Sequence, residues 1–164
     1  MQIEFLLLAE EEILLLYKLH KEKEGYFETC LKEQEEGNRQ FYIAKIDKKI
    51  AGYAQIIWDP IYQPFRKLKI PEIQDVYVSL HSRRQGTGKA LIKKCEEVVR
   101  DLGFEEIGIG VSVSSEFSQA QRLYIKMGYI PDGGGAVYEA QPINFGEIRP
   151  IDKNLCLKLT KSLA

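Results

Sequence analysis

The order of apolar and polar positions divides the chain into strand-like and helix-like stretches. Residues 2–8, with the apolar run Phe5 to Leu8, read as a first strand. From Ala9 to about Lys23 the apolar residues Ile13, Leu14, Leu16, Tyr17 and Leu19 form a stripe at helical spacing, and Glu10, Glu11 and Glu12 sit where a helix start favours negative charge. A shorter helix is predicted from Phe27 to Glu36, ending at Gly37-Asn38, a C-cap pair. The period then falls to two. Phe41 to Ile46 and Ile50 to Trp58 make strands joined by a tight turn at Asp47-Lys48-Lys49, a hairpin. A proline-bearing loop from Asp59 to Pro71 leads to a strand from Glu72 to Leu80. A helix over Gly86 to Leu102 carries Leu91, Cys95, Val98 and Leu102 on one face, and Gly103 stops it. Ile107 to Val113 is a strand, Ser118 to Met127 a helix stopped by Gly128, and Val137 to Gln141 with Leu155 to Leu159 a closing strand pair. Ser118 and Gln121 have the spacing of a capping box. Elements in this order make a mixed sheet covered by helices, α/β or α+β.

No repeat or low-complexity linker divides the chain, and 164 residues suit one domain over 1–164. With 45% apolar and 29% charged residues the balance is that of an ordinary globular protein, and a net charge of −1 argues against nucleic-acid binding. Three widely spaced cysteines, Cys30, Cys95 and Cys156, with no CxxC pair and two histidines in the chain, give neither a disulfide framework nor a metal site. The apolar run near the start is flanked by glutamates and has no basic segment before it, so neither a signal peptide nor a membrane span is expected, and the expected location is cytoplasmic.

The candidate chemistry lies between the Glu72 strand and the helix after it. Arg83-Arg84-Gln85-Gly86-Thr87-Gly88-Lys89 is a glycine loop at a helix N-terminus, where free N–H groups and the helix dipole favour a phosphate. Two nucleotide motifs fail on residue identity. A P-loop needs Gly where Arg83 stands and Ser or Thr where Ala90 stands; a dinucleotide fingerprint needs Gly where Leu91 stands. A strand-to-helix turn with glycines for geometry alone also fits the loop by itself. Gly108 and Gly110, inside a strand, call for a close approach, a splay or a bulge.

The segment Arg83-x-x-Gly86-x-Gly88, with Asp75-Val76-Tyr77-Val78 before it and Ala120-x-x-Leu123-Tyr124-x-x-x-Gly128-Tyr129 after it, closely resembles the acyl-CoA signature of the GNAT superfamily of N-acetyltransferases. The resemblance implies a mixed, mostly antiparallel sheet of six to seven strands with splayed central strands and about four helices. It implies acetyl-CoA as cosubstrate, with no metal. Backbone groups of Val76, Tyr77 and Val78 would bind the pantetheine arm, the Val78 amide would polarise the thioester carbonyl, and Arg83, Arg84, Gln85, Gly86, Thr87, Gly88 and Lys89 would hold the pyrophosphate. Tyr124 stands at the position of a general acid, with a core aromatic as the alternative.

Glu72, eleven residues before Arg83, has the spacing of the base in histone-type members, with a solvated carboxylate as the alternative. Strand alternation groups Glu72, Gln74, Val76 and Val78 on one face, and makes Asp75 a structural acceptor in the sheet. Phe117 replaces the asparagine that many members carry before the alanine, which removes a polar cofactor contact. His20, on a predicted surface helix, and His81 read as bystanders. The acceptor, a primary amine of a small molecule or peptide, is expected near Tyr26 and Phe27, the segment Trp58 to Ile70 and the segment Gly133 to Tyr138. A homodimer is compatible with the C-terminal strands. The competing function is a non-catalytic acyl-CoA sensor or assembly module.

Overall fold

The computed structural model describes Gln2–Ala164. Its elements in chain order are β1 (Glu4–Leu7), α1 (Glu10–Leu19), α2 (Tyr26–Glu35), β2 (Arg39–Ile46), β3 (Lys49–Ile57), α3 (Gln63–Leu68), β4 (Glu72–Val78), α4 (Thr87–Asp101), β5 (Glu106–Ser112), α5 (Ser118–Lys126), β6 (Ile130–Tyr138), β7 (Gln141–Pro142) and β8 (Leu155–Ser162). The chain is therefore mixed α/β, with eight strands and five α-helices among the described residues, one strand and one helix more than the sequence implied. The additional helix is α3, inside the loop from Asp59 to Pro71. Pro64 at its first turn starts it and Lys69, left-handed at φ 55°, ends it. The added strand is the two-residue β7.

The chain divides into two compact units, one of residues up to Trp58 with Ile73–Glu97, the other of Asp59–Glu72 with Val98–Ala164. In the first, β1 pairs antiparallel with β2 and β2 with β3, in the strand order β1-β2-β3-β4. The β2–β3 hairpin turns through Asp47 and Lys48, both left-handed, where the sequence placed its turn. Leu8, Ile13, Leu16, Phe27, Phe41, Ile43 and Tyr53 form the core of this unit. Helix α1 is shorter than expected: it stops at Leu19, with His20 as its C-cap.

In the second unit the order is β5-β8-β6-β7, all antiparallel. Tyr62 and Phe65 from α3 and its approach pack with Ile70 and Val137 as its core. Strand β6 begins at Ile130, seven residues before the expected start, because its register against β8 skips between Pro131 and Ala136 and the triglycine stretch bulges out there. The capping box at Ser118 does not form. Phe117 is the N-cap, and Gln121 Nε2 donates instead to the carbonyls of Ser112 at 2.7 Å and Ser114 at 3.1 Å.

Candidate functional site

In the first unit the strand β4 carries one left-handed residue. Asp75 has φ 53°, a left-handed conformation that Asp adopts more readily than most non-glycine residues. Its Oδ2 accepts from Tyr26 Oη at 2.7 Å and Gln55 Nε2 at 3.1 Å, and its Oδ1 lies 3.5 Å from Lys23 Nζ. Asp75 is thus an acceptor, as expected, but for side chains of α2, β3 and the loop after α1. A left-handed residue inside a strand departs from the plain two-residue alternation assumed for Glu72, Gln74, Val76 and Val78.

Behind β4 lies Gly52 of β3. A Cβ there would come within 2.3 Å of Tyr77 O, and Ser79 N–H donates to Ala51 O at 2.8 Å. The Tyr77 carbonyl therefore faces β3, and Val76 and Val78 turn their N–H and C=O groups the other way. The side chains of the glycine loop fold back on the chain. Arg83 Nε donates to Val78 O at 3.1 Å, Gln85 Nε2 to His81 O at 3.1 Å, and Thr87 Oγ1 to Ser82 O at 3.2 Å. Arg84 at φ 62° and Gly86 at φ 82° are both left-handed. The ladder of α4 opens with Ala90 N–H to Gly86 O at 3.0 Å, so the amides of Thr87, Gly88 and Lys89 lie ahead of it. A loop braced by its side chains, with left-handed residues and a helix start at its end, fits a pyrophosphate group.

His20 departs from the sequence reading. It is buried, its Nε2 is 3.0 Å from Tyr53 Oη, and its ring meets Tyr77 edge-on at 4.4 Å. His81 is exposed. Of the residues expected near an acceptor, Phe27, Tyr62 and Phe65 are core side chains, whereas Tyr26 is half-buried.

In the second unit Glu72 is buried, 1% exposed, and its Oε2 accepts from Lys158 Nζ at 2.6 Å. The solvated carboxylate of the alternative reading is not what the structure contains. Lys158 also lies 5.5 Å from the Tyr62 ring centroid, and Tyr62 Oη donates to Asp132 Oδ2 at 2.6 Å. Burial and then the Asp132 hydrogen bond push the Tyr62 hydroxyl up from its ordinary pKa, which keeps it a donor. Gly108 and Gly110 now have their reason. Strand β5 keeps an unbroken register with β8, so there is no bulge; a Cβ at Gly108 would meet the Phe65 ring at 2.3 Å and one at Gly110 would meet Lys158 Nζ at 3.0 Å. Tyr124 is 6% exposed with its ring 6.3 Å from that of Tyr129, and burial pushes its hydroxyl up to about 12.

Sequence reasoning missed Lys158, Lys23 and Tyr53. For Lys158 the spacing of Gly108 and Gly110 was the available signal, since it marks room for side chains from elsewhere.

The acetyltransferase (GNAT) family model matches residues 7–129, well over half of the chain. Among solved structures, a putative GNAT acetyltransferase from Desulfovibrio desulfuricans has 16% identity and a TM-score of 0.72, covering 99% of this chain and 100% of that one. A spermidine N-acetyltransferase from Vibrio cholerae in complex with CoA and spermine has 17% identity and a TM-score of 0.71, covering 99% and 96%. At such identities these likenesses show the fold alone. Human N-acetyltransferase 8 is 27% identical over 93 residues, 57% of this chain and 39% of the relative. An uncharacterized N-acetyltransferase of Methanocaldococcus jannaschii is 26% identical over 113 residues, 69% and 47%. The chain thus matches less than half the length of these curated relatives. From the family match and the shared fold together, the chain belongs to the GNAT acetyltransferase family.

Proposed function

We propose that residues 1–164 act as one acetyl-CoA-dependent N-acetyltransferase domain, working on a primary amine of a small molecule or peptide by direct attack in a ternary complex. The observation that carries this reading is the braced loop Arg83–Lys89, with Arg84 and Gly86 left-handed ahead of α4, in a chain of this family. Acetyl-CoA, when bound, supplies an acyl thioester to the amine. The amides from Arg84 to Lys89 hold its pyrophosphate, and the backbone of Val76, Tyr77 and Val78 holds the pantetheine arm. The Val78 amide polarises the thioester carbonyl, where a positioned N–H stabilises developing charge.

Tyr124 we assign to the leaving thiol. Its hydroxyl, raised to about 12 by burial, is protonated throughout the neutral range. A catalytic acid works best with its pKa near the working pH; a phenol at this value serves better as a hydrogen-bond donor to developing thiolate charge than as a full proton source. Tyr124→Phe is expected to lower kcat roughly 10²-fold with the Kd for CoA nearly unchanged. Because the protonated form persists up to the raised value, the Tyr124 hydroxyl adds no falling limb to the kcat profile below pH ~11. Equal turnover in the Phe variant removes Tyr124 from the mechanism.

Glu72 serves as the base only by exchanging the Lys158 ammonium for that of the acceptor. That clamp favours a second reading, an acyl-CoA-binding module without turnover. Thermal unfolding with CoA, acetyl-CoA and NAD, followed by thiol release from acetyl-CoA across a panel of amines, separates the two. The enzyme reading expects stabilisation by both CoA species and release with at least one amine class. Stabilisation with no release under any amine selects the binding module, and no stabilisation at millimolar CoA sinks both.

A further inference from the structure

We propose that Asp75, Tyr26 and Tyr53 form a binding site for a primary alkylammonium ion, and that the chain's own Lys23 side chain occupies it as a stand-in. Lys23 Nζ lies 3.5 Å from Asp75 Oδ1, donates to Tyr53 Oη at 3.3 Å, and sits over the Tyr26 ring at 5.0 Å and the Tyr53 ring at 5.9 Å. A carboxylate with two aromatic faces around one ammonium is the chemistry that recognises alkylamines.

The site is oriented before any cation arrives. Tyr26 Oη and Gln55 Nε2 both donate to Asp75 Oδ2, which leaves Oδ1 for the cation. Arg39 Nη1 donates to Gln55 Oε1 and thereby fixes which end of that amide faces Asp75. His20 Nε2 holds Tyr53 Oη from the other side at 3.0 Å. Both phenols stay protonated, because burial first and the Asp75 charge second push them up. Asp75 sits in a left-handed conformation inside a strand, the kind of backbone strain that the surrounding contacts must hold in place and that gathers at functional sites.

The occupant fits the site less well than the site is built. At 3.5 Å the Lys23 contact is longer than the ~2.7–2.9 Å of a good charge-assisted hydrogen bond. Lys23 belongs to the loop between α1 and α2, two residues before the left-handed Gly25, and the side chains of Lys23 and Asp75 are each 29% exposed. An untethered alkylammonium can approach Oδ1 more closely and swing Lys23 into solvent. Asp75 directly precedes Val76, the first of the backbone groups assigned to the pantetheine arm. On the acetyltransferase reading, on which this last step rests, the ion bound here is the acceptor amine, and Lys23 competes with it.

The test is titration of n-butylammonium at neutral pH, without CoA, into the wild-type chain, Lys23→Met, Lys23→Ala and Lys23→Met/Asp75→Asn, with n-butanol as the uncharged control. Removing a competitor that fills the site about nine-tenths of the time strengthens apparent affinity about tenfold. We expect that gain in Lys23→Met and Lys23→Ala, its loss when Asp75→Asn is added, and no change for n-butanol. Tyr26→Phe on the Lys23→Met background keeps the carboxylate and is expected to reduce the gain, which covers the case of an unfolded Asp75 variant. Equal affinity in wild type and both Lys23 variants, a gain that survives Asp75→Asn, or one shared by n-butanol overturns the proposal. Since no acyl donor is present, such a failure leaves the donor reading standing, while failure of CoA to stabilise the protein leaves the ammonium site standing.

Discussion

Replacing Lys158 with Met is expected to lower stability by about 3–5 kcal/mol, because it leaves the Glu72 carboxylate buried without its cation. The side chains of Glu72 and Lys158 are 1% and 11% exposed, and the 2.6 Å contact joins them in the interior of the second unit. For a chain of this size that loss lowers Tm by roughly 6–20 °C. The pair itself need not stabilise the fold: two charges taken out of water recover in mutual attraction about what they lose in hydration. Glu72→Met together with Lys158→Met is therefore expected to regain most of the loss of the single variant, as an apolar pair fills the same space. Thermal or urea unfolding of the two singles and the double gives the coupling energy directly. A double variant as unstable as the sum of the singles would show that Glu72 and Lys158 act independently, and would overturn the clamp.

The contrast between Glu72 and the glycine loop shows which features a single sequence carries. The loop is local. Glycines, a preceding strand and a following amphipathic helix all lie in one stretch from Glu72 to Asp101, so composition and period suffice to place it. The partner of Glu72 lies 86 residues away on another strand. Nothing in the alternation of β8 marks Lys158 as an inward lysine, and an unpaired lysine is expected outside. The same limit explains His20, whose partner Tyr53 is 33 residues along and which caps a helix that stops at Leu19 rather than at the expected Lys23. Helix α3 was missed for a different reason: six residues are under two turns, too few for a period to show. The left-handed residue in β4 had no glycine to announce it, because Asp75 takes that conformation itself. The triglycine stretch lay outside the strand expected from Val137, and its bulge was not legible. Its shape depends on Asp132, which accepts from Gly134 N–H at 2.8 Å and from the Tyr62 hydroxyl.

Gly52→Ala should be the most damaging single-methyl change in the first unit, and the damage should reach the donor site. The new Cβ would lie 2.3 Å from Tyr77 O and 3.2 Å from Val78 Cα, both backbone atoms of β4, and 3.2 Å from Leu91 Cδ1 on α4. A side chain in the way can rotate; a carbonyl in a paired strand cannot, so β3 and β4 must part. Overpacking of this kind costs about 1–3 kcal/mol, and the ~0.4–1 kcal/mol that Ala gains over Gly by restricting the unfolded chain does not offset it. The atoms that move are those of Tyr77 and Val78, two of the three residues whose backbone is assigned to the pantetheine arm. We therefore expect Gly52→Ala to weaken CoA binding about tenfold or more, about 1.4 kcal/mol, at a temperature where the variant is still folded. Gly108→Ala is the control. Its Cβ would also come within 2.3 Å of a neighbour, but that neighbour is the outer edge of the Phe65 ring, a side chain of α3. It should lower Tm while leaving CoA affinity within about twofold, a few tenths of a kcal/mol. If calorimetric titration finds CoA binding unchanged in Gly52→Ala, the backbone from Val76 to Val78 does not carry the donor and its assignment falls.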